Sequence, residues 1–447
     1  MMKSEIKTFR YPDGNIQRVQ IVRWDSWNRL DFLTPLHSPK ALDCFAEIYR
    51  NYLVPAAPWL FGHMILFHLP VDFSMDLSLY SGSFGSVSSP LTAAAAILKD
   101  GVSIHGRKTV FHRDAARKLW FELEEKGCIR IVSGKLPITK IIPVSSVPGF
   151  LSESAADATL KVNASFFIMD CFDCATVYDH VGIPFGLCVK NGSVLHPPLY
   201  NREALLVRQD GTVSIRQIDI TDLELEIGGY CFQHGKNASI YSRPANSRAP
   251  AGKKNYYVIT GSHVASISTN PPPIPASGFV LCPHEQVNMP VGSAVVYHGL
   301  EDIRFGIQVG NSILKDGIHT DRFYSRFYHI RRLEPVPFPP SLYPMNFSKD
   351  RAARIALGAD SDGKPVLIWA EGAAKIGHQK GLGSCGASLQ EMAQICKKLD
   401  IRNAVNLDGG GSAQILLHNQ RQLQISDRNP QTIHESERPI PLALMIM

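Results

Sequence analysis

The sequence predicts an α+β fold in which a β-rich domain over residues 155–447 contains twisted sheets and a few covering helices. A smaller, mixed α/β region of residues 1–150 precedes that domain. Three observations lead to this prediction: Asn-Gly and Asp-Gly pairs between apolar runs, the strict alternation of DLELEIG at 222–228, and an amphipathic helix, SLQEMAQICKKLD, at 388–400.

Residues 1–150 mix helical and strand-like segments. Apolar residues recur at helical spacing in SPKALDCFAEIYRNYL, with Ser38 as the N-cap, and FHRDAARKLWFELEEKG predicts a second helix that ends at Gly127. The segments CIRIVSG and KIIPVSSVPGF predict short strands. No chemical motif stands out in these segments, so the role of this region stays open.

Four dipeptides between apolar runs of the C-terminal part predict tight hairpin turns, because such pairs tolerate the positive φ that these turns need. They are Asn191-Gly192, Asp210-Gly211, Asp316-Gly317 and Asp362-Gly363. In DLELEIG the alternation places Leu223, Leu225 and Ile227 on one face of a strand. Residues 243–277, rich in Pro, Ser, Asn and Gly, predict a long loop or insertion around one strand, NYYVIT.

Charge, apolar windows and cysteines argue against several classes of function. A net charge of +6 without a Lys/Arg tract predicts no nucleic-acid partner. The most apolar window, residues 52–71, contains three prolines and two histidines, which argues against a membrane span. The first twenty residues lack the apolar core of a signal peptide. Nine cysteines, an odd number, fit reduced thiols, so we expect a cytoplasmic protein.

The single C-x-x-C motif, Cys171 and Cys174, has no second pair at zinc-site spacing. Two ordinary thiols beside a loop explain it more simply than a metal or redox site does, and we predict no metal.

A helix, a strand and a glycine-rich turn follow one another near the C-terminus. SLQEMAQICKKLD begins with Ser388 and has Glu391 three residues later, the pattern of a capping box. The next segment, NAVNLD, predicts a strand over 403–408, so that Asp408 lies where a strand ends. Three glycines follow in AVNLDGGGSAQILL. Their backbone N–H groups could bind an anion beside a carboxylate, or the segment could be a plain tight turn in which Asp408 caps its own backbone.

The segment AVNLDGGGSAQILL resembles the NLDGGGS motif of the phosphodiester glycosidase family. Other segments resemble that family in the same order along the chain: VNASFF at 162–167, AARIALGADSDGKPVLIWAEG at 352–372, GASLQEMAQICKKLDIRNAVNLDGGGS at 386–412 and SERPIPLALMI at 436–446. The resemblance covers about residues 155–447. It implies cleavage of the bond between a sugar anomeric carbon and a phosphodiester oxygen, without a redox or nucleotide cofactor.

With this resemblance, three residues are predicted to be catalytic: Asp408 as the principal carboxylate, Glu371 as a second carboxylate and His434 as a proton shuttle. Eight others are predicted to bind substrate. They are Asn163, Arg354, Asn406, Gly409, Gly410, Gly411, Ser412 and Arg438. The glycine backbone and Arg354 are expected to hold phosphate, and the two asparagines to hold sugar hydroxyls. The alternatives are backbone capping for both asparagines, a solvated Glu371, structural ion pairs for the arginines and a surface His434.

The predicted function is therefore hydrolysis of a sugar-1-phosphodiester, such as a glycosylated small metabolite. Ala164 and Ser165 replace small glycines of the family motif, which keeps open a module that binds phosphoglycans without chemistry. A transferase that passes the glycosyl group to another acceptor needs the same activated anomeric carbon, so the sequence does not separate it from a hydrolase.

Overall fold

The structure is a computed structural model. It describes residues 2–34, 149–154, 156–167, 183–184, 186–198, 202–243, 248–308, 310, 312–319, 351–372, 384–427 and 434–447, together with the backbone of seven short strands between residues 64 and 143. The predicted helices at 39–53 and 111–127 and the pair Cys171 and Cys174 lie outside the described residues. The strands expected in CIRIVSG and KIIPVSSVPGF are present at Ile129–Val132 and Lys140–Pro143.

The described strands are, in chain order, β1 (Lys3–Arg10), β2 (Ile16–Arg23), β3 (Leu30–Leu33), β4 (Met64–Phe67), β5 (Met75–Asp76), β6 (Ser86–Val87), β7 (Val102–Ile104), β8 (Arg107–Thr109), β9 (Ile129–Val132), β10 (Lys140–Pro143), β11 (Leu160–Asn163), β12 (Cys188–Lys190), β13 (Ser193–His196), β14 (Arg202–Arg208), β15 (Val213–Ile218), β16 (Glu224–Ile227), β17 (Tyr230–Gln233), β18 (Ala238–Ser242), β19 (Tyr256–Thr260), β20 (His263–Ser268), β21 (Gly278–Pro283), β22 (Val295–His298), β23 (Ile303–Ile307), β24 (Ser312–Lys315), β25 (Ile318–His319), β26 (Arg354–Asp360), β27 (Pro365–Ala370), β28 (Ile401–Asn406), β29 (Ile415–Leu417) and β30 (Ala443–Ile446).

Helices are fewer than the α+β prediction expects. Within the described ranges the single α-helix is α1 (Leu389–Lys398), and three short 3₁₀ turns lie at Trp27–Arg29, Ile220–Asp222 and Gly410–Ser412. The β-rich part of the prediction is confirmed, whereas several covering helices are not seen in these residues. None of the described helices has the length and apolar character needed to cross a membrane.

A seven-stranded antiparallel sheet forms the centre of the C-terminal part, with the order β1-β2-β27-β26-β28-β24-β25. Strands β26 and β27 are apolar on both faces because both faces are covered. One face packs on a four-stranded sheet, β29-β11-β30-β3, through residues such as Trp369 and Leu444, and the other packs on α1.

The N-terminal strands belong to these same two sheets. Strand β2 pairs with β27, and β3 pairs with β30. Residues 3–33 are therefore part of the C-terminal sheets. A domain boundary near residue 150 stays a prediction for the residues between 34 and 150. The sequence does not reveal this, because strand partners so far apart along the chain leave no local pattern.

Helix α1 has the features that the sequence predicts. The Ser388 hydroxyl accepts a hydrogen bond from the Glu391 N–H, and the Glu391 carboxylate accepts one from the Ser388 N–H. Its buried stripe of Leu389, Met392 and Cys396 packs against the seven-stranded sheet. The capping box is confirmed, and the helix leads directly into β28.

All four predicted hairpin turns are present, and in each pair the glycine has a positive φ. They join β12 to β13, β14 to β15, β24 to β25 and β26 to β27.

Residues 220–303 contribute to a second apolar core, in which Leu223, Leu225 and Ile227, predicted to share one face, are all buried. The loop predicted at 243–277 contains two strands where one was expected, because β20 pairs with β19.

Candidate active site

The glycine turn connects the two sheets that share the main core. Strand β28 of the seven-stranded sheet ends at Asn406, and β29 of the four-stranded sheet begins at Ile415. The Asp408 N–H donates to the Ala164 carbonyl oxygen at 3.0 Å, just beyond the end of β11. Asp408 is therefore held between the ends of strands from both sheets, with 5% of its surface exposed.

The three glycines of the turn are constrained in different ways. At Gly409 a Cβ atom would lie 2.6 Å from the Ala353 carbonyl oxygen, too close for any side chain. Gly410 has a φ of +59°, in the left-handed region that favours glycine. At Gly411 a Cβ atom would overlap the carboxylate of Asp427 and a guanidinium nitrogen of Arg438.

Two of the three amides that were predicted to bind an anion have partners within the protein. The Gly409 N–H donates to Asp408 Oδ1 at 2.8 Å, and the Gly410 N–H donates to the Ala353 carbonyl oxygen at 2.8 Å. Of the three glycine amides that were predicted to bind an anion, the amide of Gly411 is therefore the remaining candidate. The hydrogen bond from the Gly409 N–H to Asp408 also agrees with the alternative prediction, in which Asp408 caps its own turn.

Four side chains form a buried polar group that we call the Asp408 cluster: Asp408, Ser412, Asp427 and Arg438. Arg438 donates from Nε to Asp427 Oδ2 at 2.9 Å, and its Nη2 lies 2.6 Å from the same oxygen. Its Nη1 donates to the Ser412 hydroxyl oxygen at 3.4 Å, and Ser412 is in turn hydrogen-bonded to the Asp408 carboxyl group. The predicted structural ion pair of Arg438 is present, with Asp427 as the partner.

Burial raises the pKa of Asp408 to about 6. The hydrogen bond from Ser412, the charge of Arg438, the Gly409 N–H and the charge of Arg354 all oppose this rise. The net pKa places the proton equilibrium of Asp408 close to neutral pH, where a carboxyl group can exchange a proton with a reacting group.

Arg354 is the first residue of β26 and is almost completely buried. Its Nε donates to the Ala387 carbonyl oxygen at 3.1 Å, just before α1 begins. A Cβ atom at Gly409 would lie 3.7 Å from its Cδ, so this side chain passes beside the glycine turn. Arg354 thus brings a second positive charge to the neighbourhood of Asp408.

A family model of the phosphodiester glycosidases matches residues 237–447, which contain β28, the glycine turn and all of the Asp408 cluster. Residues 237–447 are therefore similar to the phosphodiester glycosidase family. The sequence resemblance began earlier, near residue 155, and Asn163 lies outside the matched range.

Three curated relatives share a short stretch with this chain. Over 67 residues it is 42% identical to the N-acetylglucosamine-1-phosphodiester alpha-N-acetylglucosaminidase of Mus musculus and 43% identical to that of Homo sapiens. This stretch is 15% of the present chain and 11% and 12% of those two proteins, so the match spans about a tenth of their length.

Solved structures give distant matches that cover the whole chain. The zebrafish N-acetylglucosamine-1-phosphodiester alpha-N-acetylglucosaminidase catalytic domain matches with 12% identity and a TM-score of 0.42, over 82% of that domain. A hypothetical protein from Synechocystis matches with 15% identity and a TM-score of 0.43, over 62% of its length.

Within the residues that the family model matches, Glu371 is joined to the N-terminal strands by hydrogen bonds with Arg18. Each of its carboxylate oxygens accepts two hydrogen bonds: Oε1 from Arg18 and the Gln424 N–H, and Oε2 from Arg18 and the Ser384 hydroxyl. Glu371 is 1% exposed. These bonds favour a structural role over the predicted second catalytic carboxylate, because donors of the protein occupy both oxygens.

The two predicted asparagines differ in how their side chains are used. Asn163 donates from Nδ2 to the Asp408 carbonyl oxygen at 2.7 Å and accepts from the Gln414 N–H at 2.9 Å, which favours the capping alternative. Asn406 is 2% exposed, and its Oδ1 makes no hydrogen bond in the part of the chain that the structure describes. His434 lies at the surface, and its role as a proton shuttle stays a prediction.

Sequence reasoning missed two residues that hold the predicted carboxylates in place, Asp427 within the Asp408 cluster and Arg18 beside Glu371. Asp427 follows the buried pair Leu423 and Ile425, so an acid at the end of an alternating run was the available signal. Arg18 offered no signal, because its partner lies 353 positions away. Among the described residues, no group of three or more His, Cys, Asp or Glu side chains is arranged to hold a metal ion.

Proposed function

We propose that this protein hydrolyses the bond between the anomeric carbon of a sugar and an oxygen of a phosphodiester, with Asp408 as the principal carboxylate. One observation carries the proposal. A buried carboxyl group with a pKa of about 6 lies near two guanidinium groups, inside a region that is similar to the phosphodiester glycosidase family.

The charges suit an anionic substrate. A phosphodiester carries one negative charge, and the guanidinium groups of Arg354 and Arg438 are close enough to Asp408 to lower its pKa. Arginine is well suited to phosphate oxygens because its planar donors match their geometry. The substrate phosphate would therefore lie on the arginine side of the turn, near the Gly411 amide.

The sugar would contact groups that accept hydrogen bonds. The buried Oδ1 of Asn406, two residues before Asp408, can accept from a sugar hydroxyl but would repel a phosphate oxygen. The neutral part of the substrate would therefore lie on the side of Asn406, and the anomeric carbon would lie between Asn406 and the arginines.

Hydrolysis in this arrangement conserves all atoms and charges. At neutral pH the ionised Asp408 takes a proton from a water molecule whose oxygen bonds to the anomeric carbon, or it attacks that carbon directly and water completes the reaction in a second step. The bond from carbon to oxygen breaks, and its electron pair stays with the phosphate oxygen. The phosphomonoester is an acidic leaving group, so strong general-acid assistance is not required.

The names of the curated relatives suggest the first substrate to test, a phosphodiester of N-acetylglucosamine. The proposed substrate class is broader and includes other sugars joined through the anomeric oxygen to a phosphodiester. A cytoplasmic location stays a prediction of the sequence.

The test compares wild-type protein with Asp408→Asn on a panel of sugar-1-phosphodiesters in water enriched in ¹⁸O. Asp302→Asn is the matched control, because it makes the same exchange in an exposed ion pair with Arg208. Mass spectrometry should place ¹⁸O in the free sugar, with loss of turnover in Asp408→Asn alone.

Several results would contradict the proposal. Label in the phosphomonoester would indicate cleavage of the phosphorus–oxygen bond, and equal turnover by Asp408→Asn would refute the role of that residue. Tight binding without turnover by the wild type would favour the binding module. Glycosides formed with added acceptor alcohols would favour the transferase.

A further inference from the structure

We propose that Asp427 is a positioning residue that holds the Arg438 guanidinium beside Ser412 and away from direct pairing with Asp408. The inference deepens the proposed function, because it rests on Asp408 as the reacting carboxylate. Asp427 itself would not contact the reacting atoms.

The contacts of Arg438 are divided between two sides. Its Nε and Nη2 both point at Asp427 Oδ2, at 2.9 and 2.6 Å, whereas its Nη1 reaches the Ser412 hydroxyl oxygen at 3.4 Å. The shorter contacts are those to Asp427, so this carboxylate determines where the guanidinium lies. Arg438 is 6% exposed and the Asp427 side chain is 16% exposed, so water screens the pair little.

The backbone keeps Asp427 in place. Its carbonyl oxygen accepts a hydrogen bond from the Ser436 N–H at 3.0 Å, two residues before Arg438. Gly411 packs so closely that even a methyl group there would overlap both members of the ion pair. A carboxylate, a guanidinium and a glycine backbone are therefore fitted together on one side of Asp408.

The division of contacts has a consequence for Asp408. If the Arg438 guanidinium were released from Asp427, it could turn towards the Asp408 carboxylate. An opposite charge at contact distance lowers the pKa of a carboxyl group. Arg354 from β26 is the other charged group that affects Asp408, and it stays in place in either case.

A purely mechanical brace would behave differently. If Asp427 served only to fix the C-terminal segment, its removal would lower stability and leave the proton equilibrium of Asp408 unchanged. The two explanations therefore predict different pKa values for Asp408 in the Asp427 variant, and a change in stability alone would not alter that pKa.

The experiment measures the Asp408 carboxyl resonance by NMR in full-length protein labelled with [¹³C]aspartate, assigned by its loss in Asp408→Asn. The variants are Asp427→Asn and Asp427→Glu, and the control is Glu437→Gln. Glu437 pairs with Arg421 at 3.1 Å and lies next to Arg438 in the sequence, but it is outside the Asp408 cluster. We expect the Asp408 midpoint to fall by about one pH unit in Asp427→Asn and to stay near its wild-type position in Asp427→Glu and Glu437→Gln.

Folded Asp427→Asn protein with an unchanged Asp408 midpoint would overturn the inference. If that variant does not fold, Asp427→Ser tests the same inference, because it also removes the carboxylate that holds Arg438, and an unchanged Asp408 midpoint would overturn it. The measurement needs no turnover, so it also separates the two proposals. If Asp427→Asn shifts the Asp408 midpoint but the wild type does not hydrolyse the substrates, only the proposed function is refuted. If hydrolysis depends on Asp408 but Asp427→Asn leaves its midpoint unchanged, only this inference is refuted.

Discussion

Replacing Asp408 by Asn should make the protein more stable at neutral pH while abolishing its proposed activity. Asparagine has nearly the same shape as aspartate, and its Oδ1 can still accept the hydrogen bond from the Gly409 N–H. What the exchange removes is a negative charge from a site that is 5% exposed. A buried charge disfavours the folded state, so its removal should raise the free energy of unfolding.

The magnitude follows from the pKa of Asp408, which burial raises from its ordinary value of 3.8 to about 6. Between these values the folded protein binds the proton more tightly than the unfolded chain does, so stability falls as pH rises. One pKa unit corresponds to about 1.4 kcal/mol, and the whole shift therefore costs about 3 kcal/mol above pH 6 and almost nothing below pH 4.

Urea unfolding of the wild type and Asp408→Asn at several values between pH 4 and pH 8 measures this difference. The two proteins should differ little at pH 4, and the variant should gain up to about 3 kcal/mol of unfolding free energy at pH 8. The control Asp302→Asn, in an exposed ion pair, should show no such trend. A variant that is less stable at pH 8 than the wild type, or a difference independent of pH, would refute the reasoning.

Three further exchanges test the glycine turn and the N-terminal strands. Gly411→Ala should disrupt the Asp408 cluster and lower the free energy of unfolding by about 1–3 kcal/mol, because the added methyl group overpacks the site. Gly410→Asn should be tolerated, because asparagine accepts a positive φ. Unfolding curves and turnover of both variants test this, and a larger loss in Gly410→Asn than in Gly411→Ala would contradict it. Arg18→Ala should destabilise the protein by about 1–3 kcal/mol, because it leaves the buried Glu371 carboxylate without its cation. The loss is at the lower end of what a buried ion pair gives, because Arg18 is partly exposed and water screens the pair. The matched control Arg208→Ala breaks an exposed pair and should cost less than about 1 kcal/mol, and equal losses in both would show that the pair with Glu371 is not special.

Sequence alone determined the features that depend on neighbouring residues. The hairpin turns follow from Asn-Gly and Asp-Gly pairs, since positive φ is a property of one or two residues. The capping box of α1 and its buried stripe follow from spacings of three and four residues. The glycine turn was recognisable for the same reason, and the family resemblance rests on the same short segments.

Only the tertiary structure decided which distant residues meet. Strand β2 pairs with β27 across more than 340 positions, and this brings Arg18 to Glu371 and changes the expected role of that carboxylate. Asp427, and not the adjacent Glu437, pairs with Arg438, because the fold of the C-terminal segment directs the guanidinium towards Gly411. Charges act through space and depend on burial, so the sequence could name Asp408, but the surroundings that raise its pKa exist only in the folded chain.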